Sequence, residues 1–328
     1  MILRDASPQE RDEVLEQTHA LWSDGLDLAA YREYVRTMME SSWAKAGNLR
    51  FLVLVRRADQ RVLAAVKLYR LRACLNEMPV MVGGVGAVFT LPSERGHGHA
   101  AEMISRAHKI MAERGDLISL LYSEIGAVYY ARMGYQEMDP HPVSLRVPEQ
   151  PPAGPSAPPV RRMHRTDLEQ VMQIRKTDDG PAMFRLCRDS DYWKYLLARA
   201  SFPTASLGRN RWESRLMLAG RDGYLWSLFT EGPEGPAARL LEFGEVRPGA
   251  ALPALLDELF EQCRSRGIRS IDAWLSSGKA ARDRRLADLI TPVPSAGVVP
   301  MWFPLEEQAA ALMRRDAPTG ALHMADRF

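Results

Sequence analysis

The stretch Val85–Ala100, V-G-A-V-F-T-L-P-S-E-R-G-H-G-H-A, restricts what this chain can fold into more than any other. Val85, Ala87, Val88 and Phe89 form an apolar run too short for a helix, and Pro92 ends any strand there, so a loop must follow. Helical periodicity then runs from Ala101 to Ala112. Arg95, Gly96, Gly98 and Ala100 bring backbone N–H groups together just before that helix with little side-chain obstruction. Free amides at the positive end of a helix dipole form a site for an anion such as a pyrophosphate. The segment G-H-G-H-A-A also meets the loose dinucleotide pattern G-x-G-x-x-A. A dinucleotide fold, however, turns directly from its strand into the first glycine, whereas here Leu91–Arg95 intervene. A nicotinamide oxidoreductase is therefore the weakest of the readings the loop allows.

The flanking sequence predicts a mixed α/β order. Ile2–Arg4 reads as a short strand, and Ser7-Pro8-Gln9-Glu10 as a helix start with a capping residue, a proline in the first turn and a glutamate behind it. Val14, Leu15, Thr18, Leu21 and Trp22 recur at helical spacing, and a second helix is predicted from Leu28 to about Met39. Arg50–Arg57 and Val62–Arg72 read as strands joined by a turn at Ala58-Asp59-Gln60, followed by strands at Val80–Thr90 and Leu117–Tyr122. After Ser123, the segment E-I-G-A-V-Y-Y-A-R-M-G-Y predicts a short helix stopped at Gly134.

From Pro148 to Pro159 six of twelve residues are proline, which favours a stiff, extended linker. The expected organisation is a first domain at 1–147, a linker at 148–159 and a second domain at 160–328. Immediately past the linker, V-R-R-M-H-R-T-D-L-E-Q-V repeats the layout of the chain start. Leu240–Val246, Leu252–Arg266 and Ile268–Leu275 then read as strand, helix and strand, with Gly267 as the stop. Their connecting loop, Arg247-Pro248-Gly249-Ala250-Ala251, lacks the second glycine and places proline where a donor amide would be needed. A degenerate second α/β domain without cofactor is expected.

Two motifs carry a family resemblance. Arg95-Gly96-His97-Gly98-His99-Ala100 fits the signature R/Q-x-x-G-x-G/A, and Tyr129-Tyr130-Ala131-Arg132-Met133-Gly134-Tyr135 fits the second half of A-x-x-F-Y-x-x-x-G-F. With both at family spacing, the chain resembles the GCN5-related N-acetyltransferase (GNAT) superfamily. It departs from that pattern at Ser123, where many members carry Asn, and at Gly126, where many carry Ala. The resemblance implies a GNAT-like mixed sheet flanked by helices, followed by a degenerate GNAT-like second domain. It also implies acetyl-CoA as co-substrate, its pyrophosphate held by the loop residues Arg95, Gly96, His97, Gly98, His99 and Ala100. Ala87, Val88, Phe89 and Thr90 would pair with the pantetheine arm, Ser123 would border the cofactor, and Tyr130 would protonate the departing thiolate.

The expected general base is Glu124, just past the strand Leu117–Ser123, the C-terminal carboxylate of the chain end Leu322–Phe328, as in some two-domain relatives, or water. The acceptor pocket of the superfamily would include Trp22, Asp24, Asp27 and Tyr31. With L-W-S-D-G-L, A-Y-R-E-Y, L-Y-S-E-I-G and Y-Y-A-R-M-G-Y, residues 20–145 look similar to the fungal lysine N6-acetyltransferase group, which implies free lysine or a related cationic amine as acceptor, with Asp24, Asp27 or Glu124 as ammonium partners. The expected function is direct acetyl transfer to such an amine; the alternative is a non-catalytic sensor of CoA or a metabolite, or an interaction module.

Charge and composition narrow the partners. Basic and acidic residues number 43 and 41 with no basic face evident, which argues against a nucleic-acid partner. No apolar stretch reaches membrane-span length, and the start M-I-L-R-D-A-S-P lacks a signal peptide's apolar region, so a cytoplasmic protein away from membranes is expected. Cys74, Cys187 and Cys263 have neither zinc nor disulfide spacing. His97 and His99 lack a third ligand at sensible spacing, so no metal is expected.

Overall fold

The computed structural model describes residues 1–138, 141–149, 158–178, 184–275, 284–292, 298–307, 309 and 320–327, which fall into two compact units. The first unit runs β1 (Ile2–Asp5), α1 (Pro8–Trp22), α2 (Leu28–Glu40), β2 (Leu49–Val55), β3 (Val62–Leu75), β4 (Met78–Thr90), α3 (His99–Glu113), β5 (Ile118–Ser123), α4 (Ala127–Ala131) and β6 (Gln136–Glu137). α1 starts as its sequence predicts: Ser7 Oγ accepts from the Glu10 amide at 3.2 Å, and the Glu10 carboxylate accepts from the Ser7 amide at 2.9 Å. Between β3 and β4 the chain reverses at Asn76 and Glu77, with φ of 49° and 66°, the left-handed pair that matches the twist of a tight hairpin. The apolar faces of β2, β3 and β4, among them Leu52, Leu54, Val66, Leu68 and Val85, pack against Met103, Ile104, Ala107 and Met111 of α3. Gly83 permits this close approach, because a Cβ there would sit 2.4 Å from Met111 Sδ.

The strand order of this sheet is β1-β2-β3-β4-β5, then a strand from far along the chain, Val299–Pro304, then β6. The returning strand is antiparallel to β5, from Val299 opposite Ser123 to Pro304 opposite Ile118. Sequence reading passes over it because V-P-M-W-F-P is short and proline-bounded, a composition that argues against a strand inside a sheet. Its Met301 and Trp302 are buried, and Phe303 stacks on His108 with ring centroids 4.3 Å apart. Burial lowers the His108 pKa to about 4, so the ring is neutral at physiological pH and suited to this aromatic cluster.

The second unit contains β7 (His141–Arg146), β8 (Val160–Arg162), α5 (Leu168–Asp178), β9 (Phe184–Cys187), α6 (Ser190–Leu207), β10 (Trp212–Ala219), β11 (Gly223–Gly232), β12 (Gly235–Glu245), α7 (Leu252–Ser265), β13 (Ser270–Leu275) and β14 (Ile290–Pro292). Its sheet has the order β14-β7-β13-β12-β11-β10-β8. β12 and β13 are parallel, Ala238 opposite Ile271 and Leu240 opposite Ala273, and α7 connects them, as α3 connects β4 and β5. Leu255, Leu259, Phe260 and Cys263 of α7 pack into one core with Leu225, Phe243 and Ile271. Burial pushes the Cys263 thiol up to about 12, so it behaves as a small apolar residue.

Two segments lie across the division expected at residue 147. β7 pairs with β13 in the second sheet, and the returning strand Val299–Pro304 belongs to the first. Most of the expected linker 148–159 lies outside the described residues. No helix among the described residues is long and apolar enough to cross a membrane.

Candidate active site

The parallel pairing of β4 with β5 runs from Gly83 opposite Ser119 to Val85 opposite Leu121 and stops there. Both strands continue, β4 to Thr90 along β3 and β5 to Ser123 along the returning strand. The cause of the parting is local. Between Ala65–Phe89 and Lys67–Gly86 the register shifts by one residue, and Ala87 takes φ of 48°, so β4 bulges and bends away. The Leu91 amide donates to Leu63 O at 3.0 Å, so strand alternation turns the Thr90 amide to the opposite, unpaired edge. Arg95 Nε reaches the Thr90 carbonyl on that edge at 3.4 Å.

Just past this edge comes the glycine loop. Gly96 and Gly98 have φ of 79° and 76°, values that favour glycine, and a Cβ at either would meet nothing within 4 Å. Gly98 is the N-cap of α3 and supplies no side-chain cap, so the first-turn amides of the helix have no capping side-chain acceptor. His99, at the first helical position, stacks on His97 at 5.9 Å and has a buried Nδ1 without a hydrogen-bond partner. Its Nε2 lies 3.5 Å from the buried Glu94, which also pairs with Arg56 at 3.3 Å and Arg61 at 3.2 Å. Uncapped amides, an orphaned imidazole nitrogen and open glycine surfaces fit an anionic ligand. Among the described residues no group of His, Cys, Asp or Glu is placed to hold a metal ion.

The carboxyl end of β5 leads to the other candidate groups. Ser123 Oγ donates to Gly126 O at 2.6 Å, and Gly126, with φ of 80°, opens α4. That bond commits the Ser123 hydroxyl to holding the turn. Tyr130 on α4 is buried, its ring edge-on to Tyr129 at 5.1 Å and to Tyr135 at 5.9 Å. Tyr135 is itself fixed by Ser119 Oγ at 2.7 Å and His108 Nε2 at 2.8 Å. The Tyr130 hydroxyl has no hydrogen-bond partner among the described residues, and burial pushes its pKa up to about 12, with smaller contributions from Tyr129 and Glu124. It is therefore neutral and able to donate. Glu124 is exposed on the same turn, within electrostatic reach of Tyr130. The carboxylate of Phe328, the other candidate base, lies outside the described residues.

The four expected acceptor residues separate into two pairs. Trp22 is half-buried and meets Phe89 of β4 edge-on at 6.3 Å, and Asp24 is exposed just beyond it. Asp27 is instead the N-cap of α2, its Oδ1 accepting from the Ala30 amide at 2.8 Å. Tyr31 is 2% exposed, its hydroxyl 3.5 Å from Thr18 Oγ1, so it belongs to the packing of α1 on α2. Asp27→Ala is expected to cost about 1 kcal/mol of stability through the lost cap while leaving the acceptor KM unchanged. Thermal unfolding and steady-state kinetics check the two halves of that statement.

The corresponding loop of the second unit is filled from within. Glu245, at the end of β12, accepts from the amides of Gly249 at 3.0 Å, Ala251 at 2.8 Å and Leu252 at 2.6 Å. Its carboxylate takes up amides that would otherwise be open to an incoming anion. The missing glycine and the misplaced Pro248 are visible in the sequence, but this internal anion is not.

Residues 3–138 match the family model described as an acetyltransferase (GNAT) domain. Comparison with curated proteins gave no match. Among solved structures, the chain resembles a GCN5-related N-acetyltransferase from Kribbella flavida, with 19% identity, TM-score 0.65, and coverage of 94% of this chain and 72% of that one. It also resembles a probable N-acyltransferase from Enterococcus faecalis at 14% identity and TM-score 0.67, covering 94% of this chain and 73% of that one. A third is the N-myristoyltransferase of Saccharomyces cerevisiae, solved with bound myristoyl-CoA, at 10% identity and TM-score 0.59, covering 92% of this chain and 78% of that one. The architecture is thus GNAT-like mixed α/β along most of the chain. The neighbours share the fold, and the match of residues 3–138 to the acetyltransferase domain model supports an acyltransferase.

Proposed function

We propose that the first unit transfers an acetyl group from acetyl-CoA directly to the primary amine of a small molecule. The observation that carries this reading is the parting of β4 from β5, with the uncapped start of α3 following one strand and Tyr130 following the other. In this reading, the amides from Gly96 to Ala100 and the His99 ring hold the diphosphate, and the free edge of β4 at Thr90 pairs with the pantetheine amides. Bound acetyl-CoA supplies an activated thioester. Tyr130 donates from its neutral hydroxyl toward the departing sulfur, and Glu124 accepts the proton of the attacking amine directly or through water. Ser123 acts at one remove, by fixing the turn that aims α4. Asp24 and Glu124, both exposed carboxylates, favour a cationic acceptor. The likeness of residues 20–145 to lysine N6-acetyltransferases makes that acceptor lysine-like; it rests on sequence motifs alone.

Calorimetric titration of acetyl-CoA into the full chain should show saturable binding. Gly98→Ala should weaken it about tenfold, because a non-glycine residue strains that φ and its methyl group narrows the approach to the amides. No binding to the unaltered chain would sink the proposal. Binding without thiol release across a broad panel of amines, lysine included, would point to a CoA sensor instead.

A further inference from the structure

The second unit carries an open cleft of about 450 Å³ that owes nothing to the acyl-transfer reading, since all of its lining lies within that unit. Its floor is Glu213 of β10, 5% exposed. Three arginines from three elements converge on this one carboxylate: Arg162 of β8 at 2.6 Å, Arg215 of β10 at 3.2 Å and Arg266, which caps α7, at 2.8 Å. The Arg266 guanidinium carbon also lies over the Phe229 ring, 4.3 Å from its centroid. Arg209 and Glu231 at the rim offset each other in charge.

Three guanidinium groups against one carboxylate leave the floor with a net charge of two positive. Glu213 engages them through two oxygens, Oε1 toward Arg162 and Arg215 and Oε2 toward Arg266. The arginine side chains nevertheless stay 44%, 23% and 29% exposed, respectively, so donors are left over on the open side. Here the buried carboxylate draws together and orients more positive charge than it can neutralise, which is how a protein pre-organises a site for an anion from solution. The excess matches the charge of about −1.5 to −2 on a phosphate monoester at neutral pH. A cleft of this volume is within the range of small-ligand sites, and its walls are largely polar.

We propose that this cleft binds a small phosphorylated metabolite, its phosphate seated among Arg162, Arg215 and Arg266 above Glu213. Titration of inorganic phosphate and of glucose 6-phosphate into the full chain at low ionic strength should give saturable binding that raises the unfolding temperature and weakens with added salt. Arg162→Gln and Arg215→Gln should each reduce affinity about tenfold or more. Both changes also remove a partner of Glu213, so Arg209→Ala, an exposed rim change that leaves those ion pairs intact, serves as the variant safe for folding; it should weaken binding severalfold. No saturable binding of either probe overturns the site. So do constants unchanged in all three variants, which would place the anion elsewhere, for instance on the loop Arg95–Ala100.

Discussion

Tyr130→Phe is expected to lower kcat for acetyl transfer by about 10²–10⁴-fold while leaving acetyl-CoA affinity nearly unchanged. The reasoning starts from packing. The Tyr130 ring is held edge-on between Tyr129 and Tyr135, and Phe303 packs on Tyr135 at 5.6 Å and lies 3.0 Å from where a Cβ on Gly134 would be. A phenylalanine ring keeps every one of those contacts, so the change deletes one oxygen and little else. That oxygen has no protein partner among the described residues, so its removal orphans no buried donor or acceptor, and unfolding temperature should barely move. What is lost is a neutral O–H held where α4 follows β5, a group useful only when negative charge builds on a departing sulfur. A contact made only in the transition state appears in kcat and in kcat/KM equally. Because burial holds the hydroxyl neutral up to about pH 12, its ionisation should contribute no alkaline limb to the rate below that pH. An unaltered kcat, with chemistry shown to be rate-limiting, would remove Tyr130 from the mechanism.

The parts of this fold written in local sequence were readable. The capping residues Ser7 and Glu10, the apolar spacing of α1 and α3, and the positive-φ glycines at 96, 98 and 134 each act within a few residues of themselves. The glycine loop and the Tyr129–Tyr135 segment were legible for that reason, and they mark the two strands that part. The parting itself was not legible. It depends on where the pairing of β4 with β5 ends, and on an alanine at 87 taking a left-handed conformation that its residue type does not announce. Asp27 and Asp24 look alike in sequence, yet only Asp27 stands at the position whose side chain reaches the Ala30 amide. The returning strand Val299–Pro304 was hidden by its prolines and by its distance from β5 along the chain. Glu245 shows the same limit from the other side: its role emerges only when the loop folds back and three amides meet one carboxylate.

The deepest electrostatic feature of the second unit was also invisible in sequence, and it sets the second large expectation: Glu242→Gln should cost about 3–5 kcal/mol of stability. Glu242 is wholly buried on β12. Its Oε2 accepts from Arg188 Nη2 at 2.5 Å, and its Oε1 accepts from Arg175 Nε at 3.1 Å and from the Tyr224 hydroxyl. Arg188 also donates through Nε to Asp326 at 2.9 Å and lies 4.6 Å over the Trp193 ring. Two arginines and two carboxylates balance, joining positions 54 to 138 residues apart. Glutamine keeps the shape and removes one charge, leaving buried guanidinium groups under-compensated, and that desolvated excess is the source of the cost. The pH dependence has a definite sign. Burial alone would raise the Glu242 pKa, but Arg188, His323 and Arg175 lower it further, so its folded value lies below the ordinary carboxylate range. A depressed carboxylate contributes stability above its unfolded pKa of about 4.3, and that contribution is lost as pH falls through the folded value. Glu242→Gln should therefore be most damaging near neutrality and converge on the unaltered protein in acid. Urea unfolding at a series of pH values checks both points. Adding Arg188→Gln to Glu242→Gln should cost less than the sum of the two single changes, because the second removes charge that the first left unpaired. Strict additivity would show that the pair is not coupled and that the loss arises from packing.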